Sequence, residues 1–491
     1  MTTAMRSLML VFLAVMTSSP LRADVDYQSY PTGDIGYTQI GTRAQSVEKG
    51  IAAIDDESEK RELKTHFAEA KKSYAAKDFA STGRILSYLA ERLSARGMNM
   101  QPSARLSDEQ KKGLSSIGKE MHTAMKNEDM RTINNLVKRT VTLLGSEAGK
   151  PEAGLLIRKN APRFSGNVEA EAKRLLDTRR SAMLDAGTRV AVSIRKKDKL
   201  RIAAGLLLEL SALIAASSMD ESAPLIPELC TAADALVSVQ GANGIFGIPY
   251  DNASSDLLIK RASLAVDEAK RNSARIIIER GWILDDSGAL DGGLQFDNGL
   301  AARAVVLAYR TQSDERYLAA AKRSRDALER TPVCPNWNYN AFSISFLAEL
   351  YRAAPEERTR TILAKKLTYG LIPGLMVNGR YADPHNAKTV YHHIITEALL
   401  DAAEALPRSD ELSASVIDAA ARASLSAADE IIAIGPVHAD RAVGMLSRAN
   451  LLRADDRFGH SLSITLGELS AAGNEQMANA FYLRHLIAPV R

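Results

Sequence analysis

Apolar positions recur at helical spacing along most of the chain, and alternating strand patterns are almost absent. Residues 44–98 give two or three amphipathic segments, and "FAEAKKSYAAKDFASTGRILSYLAERL" reads as a helical hairpin turning near Lys77–Asp78. From residue 223 a rhythm sets in. Gly-rich or aromatic polar turns precede apolar helices at "GANGIFGIPYDNASS" (241–255), "LDGGLQFDNGLAARAVVLAY" (290–309), "PNWNYNAFSISFLAELY" (335–351), "GRYADPHNAKTVYHHII" (379–395) and "GPVHADRAVGMLSRANLL" (435–452). Successive turns stand roughly 40–55 residues apart, the length of two helices and two connections. More polar helices such as "DERYLAAAKRSRDALERT" (314–331) and "PEERTRTILAKKL" (355–367) alternate with the apolar ones, as an outer layer facing water requires. The pattern predicts an all-α fold: an α/α toroid over residues 201–491, incomplete or of six hairpins, with an N-terminal helical region at 24–200. The polar turns are then expected at one mouth.

Composition adds the setting. A chain of 491 residues, 46% hydrophobic, has the material for a large core. The opening "MTTAMRSLMLVFLAVMTSSPLRA" places Arg6 before an apolar run ending at Met16 and small residues up to Ala23, the pattern of a secretory signal over residues 1–23. That run is too short to span a bilayer, and "LRIAAGLLLELSALIAA" (200–216) carries Arg201 and Glu209, so it reads as a buried helix and no membrane span is expected. The expected product is periplasmic or secreted. Cys230 and Cys334 are the only cysteines, which excludes a disulfide framework and leaves room for one bond or two buried thiols.

Charge is uneven. Residues 101–200 hold 21 lysines and arginines against 12 acidic residues, although the whole chain carries only +4. The excess marks either solvated helix faces or a wall that attracts a polyanion. No nucleic-acid-binding motif or interleaved aromatics accompany it, so an acidic polysaccharide or oligosaccharide is the expected partner and nucleic acid is not. Phosphate loops, nucleophile elbows and Cys-x-x-Cys pairs are absent from the sequence, and no cofactor or metal is expected. His393 with Glu397 would lack the further ligands a metal needs. With Asp401 and Glu404 these two read as a solvated face.

Residues 378–403 concentrate the candidate chemistry. Eliminating across C4–C5 of a uronic acid requires groups that hold the C6 carboxylate, a base for the C5 proton and an acid for the C4 oxygen. Asn338, Asn340, Arg380, His385 and Lys388 are candidates for the carboxylate, Tyr391 for base and acid, and His392 for support. A tyrosine with an ordinary pKa of about 10 serves as base only if cations stand beside it. Trp282, Trp337, Tyr339 and Tyr381 are candidate stacking platforms for sugar rings, and Tyr250, Asp297 and Asn298 lie in turns expected at the same mouth.

"NYNAFS" (338–343) and "YHHIIT" (391–396) resemble two motifs of the α/α-barrel alginate lyases, which open successive inner helices about fifty residues apart with Asn-Asn-His-Ser-Tyr-Trp and Tyr-His-Asn-Tyr-Ala-Leu. The resemblance covers about residues 335–403 and implies a polysaccharide lyase acting by β-elimination. Tyr391 and His392 match the family's Tyr-His, and the resemblance implies that Tyr391 transfers the proton. The family's motif histidine has no counterpart here: its asparagine and histidine fall on Tyr339 and Asn340, or on Asn338 and Tyr339 one residue back. The family's arginine falls near Pro384, so Arg380, His385 or Lys388 would replace it.

Two other readings stand beside the lyase. A glycoside hydrolase of the same fold needs paired carboxylates, for which Asp251, Asp285, Asp286, Asp291, Asp297 and Asp383 are candidates. An exported helical protein that binds a polysaccharide without cleaving it needs neither set. The "DPHN" turn also fits a plain helix cap.

Overall fold

The computed structural model describes residues 25–30, 37–96, 98–100, 106–150, 156–158, 163–272, 274, 276–285, 294–436, 438–471 and 478–487. The signal-like stretch at 1–23, Asp286 and Asp291 lie outside them. The chain is mostly helical, and the described strands are very short. It divides into two compact units, Met1–Pro102 with Ala153–Ile157, and Ser103–Glu152 with Arg158–Arg491.

The first unit contains α1 (Tyr37–Ala52), α2 (Glu57–Ala75) and α3 (Phe79–Ala95), with α3 packed on both others. Its apolar stripes meet in a core that includes Ile40, Ile51, Leu63, Phe67, Leu86 and Leu89. Asp56 caps α2 by accepting from the backbone N–H groups of Ser58 and Glu59, both at 2.9 Å. The hairpin turns where the sequence indicates, with Lys77 at φ 62°.

The second unit begins with the hairpin α4 (Asp108–Lys126) and α5 (Met130–Leu144), then α6 (Val168–Ser181) and α7 (Ala186–Lys196). These helices, read from sequence as N-terminal, share one core with the later ones: Ile117, Met121, Leu136, Leu175 and Val190 belong to the same apolar cluster as Leu207 and Leu399. There follow α8 (Leu200–Ala215), α9 (Ile226–Val237), α10 (Leu257–Arg271), α11 (Leu294–Gln312), α12 (Glu315–Arg330), α13 (Trp337–Ala353), α14 (Glu357–Gly370), α15 (Thr389–Ala405), α16 (Ser413–Ile434), α17 (Ala439–Leu452), α18 (Asp456–Ala471) and α19 (Ala480–Ile487).

Among these, α8, α11, α13, α15, α17 and α19 each pack on the next, and α19 packs back on α8. α12, α14, α16 and α18 lie against α11, α13, α15 and α17 respectively, while α7 and α9 lie against α8 and α6 against α19. The apolar members are buried almost all round, as α13 is from Ala341 to Leu350. Gly299 permits the close approach of α11 to α13, since a Cβ there would lie 2.6 Å from the carbonyl carbon of Phe342. No helix among the described residues is long and apolar enough to cross a membrane.

Two expectations need correction. The turn at 241–255 does not lead into one of the six apolar helices. It enters β1 (Ile248–Pro249), which pairs with β3 (Trp282–Ile283), itself paired with β2 (Ile278–Glu279), and then α10. A separate small core, including Ile248, Val266 and Ile283, holds that subassembly. Second, His393, Glu397 and Asp401 do not form a solvated face: they are buried and Glu404 is half-buried. Their face of α15 meets arginines from other helices. Arg303 of α11 and Arg448 of α17 reach Asp401 at 3.0 and 2.7 Å, Arg448 and Arg352 reach Glu404 at 2.7 and 3.0 Å, and Arg441 reaches Glu397 at 2.6 Å. Matched charges make burial of this stripe tolerable, and removing one partner alone would be costly.

Candidate active site

The turn before α15 is fixed by its own polar residues. Asp383 accepts from the backbone N–H of Asn386 at 2.9 Å and from its side-chain amide at 3.0 and 3.2 Å. The Asn386 Oδ1 in turn accepts from the Asn338 backbone N–H at 3.1 Å and from Asn338 Nδ2 at 3.0 Å, joining the turns that open α13 and α15. The "DPHN" segment therefore acts as a turn lock, and it places His385 over Tyr391 in the first turn of α15. The two rings lie 4.6 Å apart with an interplanar angle of 37°. Lys388 Nζ stands 5.9 Å from the centroid of the same phenol ring.

His385 also lines a cleft of about 420 Å³. Leu114, Ile117 and Met121 of α4 form one side, while Trp337, Tyr339, Asn336 and Asp383 contribute to the other. The cleft thus offers aromatic and apolar walls with a few convergent polar groups, which suits a sugar ring as well as any apolar ligand. Tyr339 is half-buried and Trp337 nearly buried at 6% exposure.

Several other expected participants are committed elsewhere. Arg380 pairs with Glu430 and donates to Ser426 Oγ at 2.9 Å and to the Ala387 carbonyl at 3.1 Å, so its guanidinium ties the turn to α16 instead of facing a substrate. Asn340 is fully buried; its amide donates to the carbonyls of Cys334 (2.7 Å) and Gly370 (2.9 Å), and its Oδ1 accepts from the Cys334 N–H at 3.1 Å. Asn338 serves the turn lock already described. His392 is buried with Nε2 3.0 Å from the Ala423 carbonyl, and burial holds its imidazole well below the usual histidine range. Tyr381 is fully buried against Trp337, and its hydroxyl donates to the Leu371 carbonyl at 2.7 Å, so it packs instead of stacking on ligand.

The remaining residues expected in turns have internal partners too, and two of them, Asp297 and Asn298, lie within α11 instead of in a turn. Asp297, 1% exposed, takes a bidentate pair from Arg201 at 3.0 and 2.7 Å, yet burial still raises its carboxyl above the ordinary range. Asn298 accepts from the Phe246 N–H at 2.8 Å. Tyr250 donates to Asp267 at 2.6 Å beside α10. Cys230 and Cys334 are not joined in a disulfide. The sequence pattern set His393 and Glu397 on a solvated face, whereas both are buried and Arg441 pairs with Glu397. The spacing of His393 and Glu397 on one helical face was the available signal, but only the arginines supplied by distant segments reveal that this face points inward.

Among the described residues no group of three or more His, Cys, Asp or Glu is arranged to hold a metal ion. No protein-family model matches the chain, and no curated protein matches it significantly.

Proposed function

We propose that the second unit is an α/α toroid acting on an acidic, uronate-containing saccharide, and that Tyr391 transfers the proton in a β-elimination. The cyclic succession of α8, α11, α13, α15, α17 and α19, each backed by a further helix, supports the toroid. The observation that carries the chemistry is the tilted ring contact of His385 with Tyr391 and the Lys388 ammonium 5.9 Å from the phenol ring.

In this reading the C5 proton leaves to the Tyr391 oxygen, the C5–H electron pair forms the C4–C5 double bond, and the C4–O bond breaks. The leaving oxygen then takes a proton from the same phenol. A cation near the ring favours the charged phenolate. Lys388 and His385, in place of Arg380, Asn338 and Asn340, hold the carboxylate as charge develops on it. Trp337 and Tyr339 form the sugar-facing wall of the cleft. Export through a cleaved signal at residues 1–23 belongs to the same reading, and a mature terminus near Asp24 on secreted protein would support it.

A second reading is favoured by one specific observation: Arg380, Asn338 and Asn340 all have internal partners. A protein that binds the saccharide without cleaving it needs only the aromatic wall and a cation. Asp297 and Asp383 are likewise bonded internally, which leaves the hydrolase alternative less to rest on. Incubation with alginate, polygalacturonate, hyaluronan and a neutral glucan separates the three. A lyase produces ultraviolet absorbance from the new double bond, a hydrolase only new reducing ends, and a binding protein neither.

A further inference from the structure

One wall of the cleft beside His385 is apolar throughout. α4 presents Leu114, Ile117, Gly118 and Met121 to it, positions i, i+3, i+4 and i+7 of a single helical face, and α5 adds Val137 and Thr140. The buried Thr140 hydroxyl spends its proton on the Leu136 carbonyl at 2.9 Å, so no side chain of this wall has a hydrogen left to donate. The two glycines of α4 differ in what holds them there. Glycine inside a helix lowers its stability relative to alanine, so each needs a reason. A Cβ at Gly113 would lie 2.7 Å from Leu143 Cδ2, and bare backbone there serves the packing of α4 on α5. A Cβ at Gly118 would meet no atom within 4 Å. Packing does not require glycine at 118, and the space it leaves belongs to the cleft.

The wall narrows the ligand. A sugar hydroxyl turned toward it would give up its bonds to water and find no side-chain donor and, the Thr140 oxygen apart, no side-chain oxygen or nitrogen in return. An alkyl or acyl group suits the same surface, since it buries apolar area and strands no proton. The proposed reaction fixes where that group sits on the sugar. The C6 carboxylate has to stay charged for Lys388 and His385 to hold it, so the group is not an ester of that carboxylate and is carried on a ring oxygen instead. We infer that the cleft takes an O-acylated uronate, O-acetyl being the smallest such group, with its methyl over Gly118 and against Leu114, Ile117 and Met121. This rests on the saccharide reading above and adds to it the substituent that the substrate carries.

The test titrates the full chain carrying Tyr391→Phe, so that ligand is not consumed, by calorimetry. The ligands are trimers of mannuronate and of galacturonate, each bare and O-acetylated, and the methyl ester of the galacturonate trimer. The O-acetylated form of the better trimer should bind about tenfold tighter than its bare form, as burial of one methyl and removal of one stranded hydroxyl imply. The methyl ester should bind no better than the bare form. Adding Gly118→Leu should fill the space and erase the preference while the bare trimer still binds. Should that variant not fold, Gly118→Ala, whose Cβ meets no neighbour and which favours the helix, should narrow the preference severalfold. Equal binding of bare and O-acetylated trimers, a preference for the methyl ester, or a preference untouched by the Gly118 variants refutes the acyl subsite and leaves the saccharide reading standing. If no trimer binds, the saccharide reading falls and this inference falls with it.

Discussion

The imidazole of His385 and the phenol of Tyr391 lie 4.6 Å apart, one from the turn before α15 and the other from its first helical turn. Their pairing depends on the bonds that run from Asp383 through Asn386 to Asn338. Asn386→Ala removes the centre of that chain and leaves a buried Asn338 amide short of a partner. We expect a stability loss of about 1–3 kcal/mol together with weaker saccharide binding. Thermal melting beside calorimetric titration checks this; unchanged binding would mean the turn lock does not hold His385 in place.

Arg380 separates a structural role from a chemical one. Its ion pair with Glu430 is nearly buried, with side-chain exposures of 11% and 7%. Arg380→Ala strands the Glu430 carboxylate and should cost about 3–5 kcal/mol. Arg380→Met together with Glu430→Leu should recover much of that loss, and with it any activity. A double variant that melts like the parent but has lost turnover would show that Arg380 touches substrate after all.

Lys366 predicts a pH dependence of stability. Its ammonium is fully buried in α14, donating to Gln295 Oε1 at 3.0 Å and the Pro332 carbonyl at 3.2 Å, and burial pushes it down to about 7. The unfolded chain, with an ordinary lysine pKa of about 10.4, binds more protons between those values, so this group makes stability rise with pH from about 7 to about 10. Relative to Lys366→Met, the wild-type chain should therefore gain several degrees in Tm between about pH 7 and pH 10. A difference in Tm that stays constant over that range would contradict it.

Helix periodicity made much of the fold legible. The hairpin at Lys77 and the apolar helices beginning near residues 294, 337, 389 and 439 follow directly from patterning and turn chemistry. The small sheet around Ile248 and Trp282 was not legible, because strands of two residues leave no alternation to read. The site was legible only in part. An asparagine at a helix start has the same sequence signature whether it bonds a substrate or, like Asn340, the carbonyls of Cys334 and Gly370. In the same way, the stripe of His393, Glu397, Asp401 and Glu404 looks solvated until Arg303, Arg441 and Arg448 arrive from 98, 44 and 47 residues away to meet Asp401 and Glu397.

In the proposed reaction Tyr391 carries a proton in an elimination on a uronate. Tyr391→Phe keeps the ring and its contact with His385 but removes the transferable proton. The decisive measurement is the initial rate of ultraviolet absorbance on the best polyuronate, wild type against Tyr391→Phe, with thermal melting of both proteins. Unchanged melting and a fall in turnover of at least about a hundredfold are expected. A Tyr391→Phe protein that melts normally and keeps most of its rate would contradict the assignment.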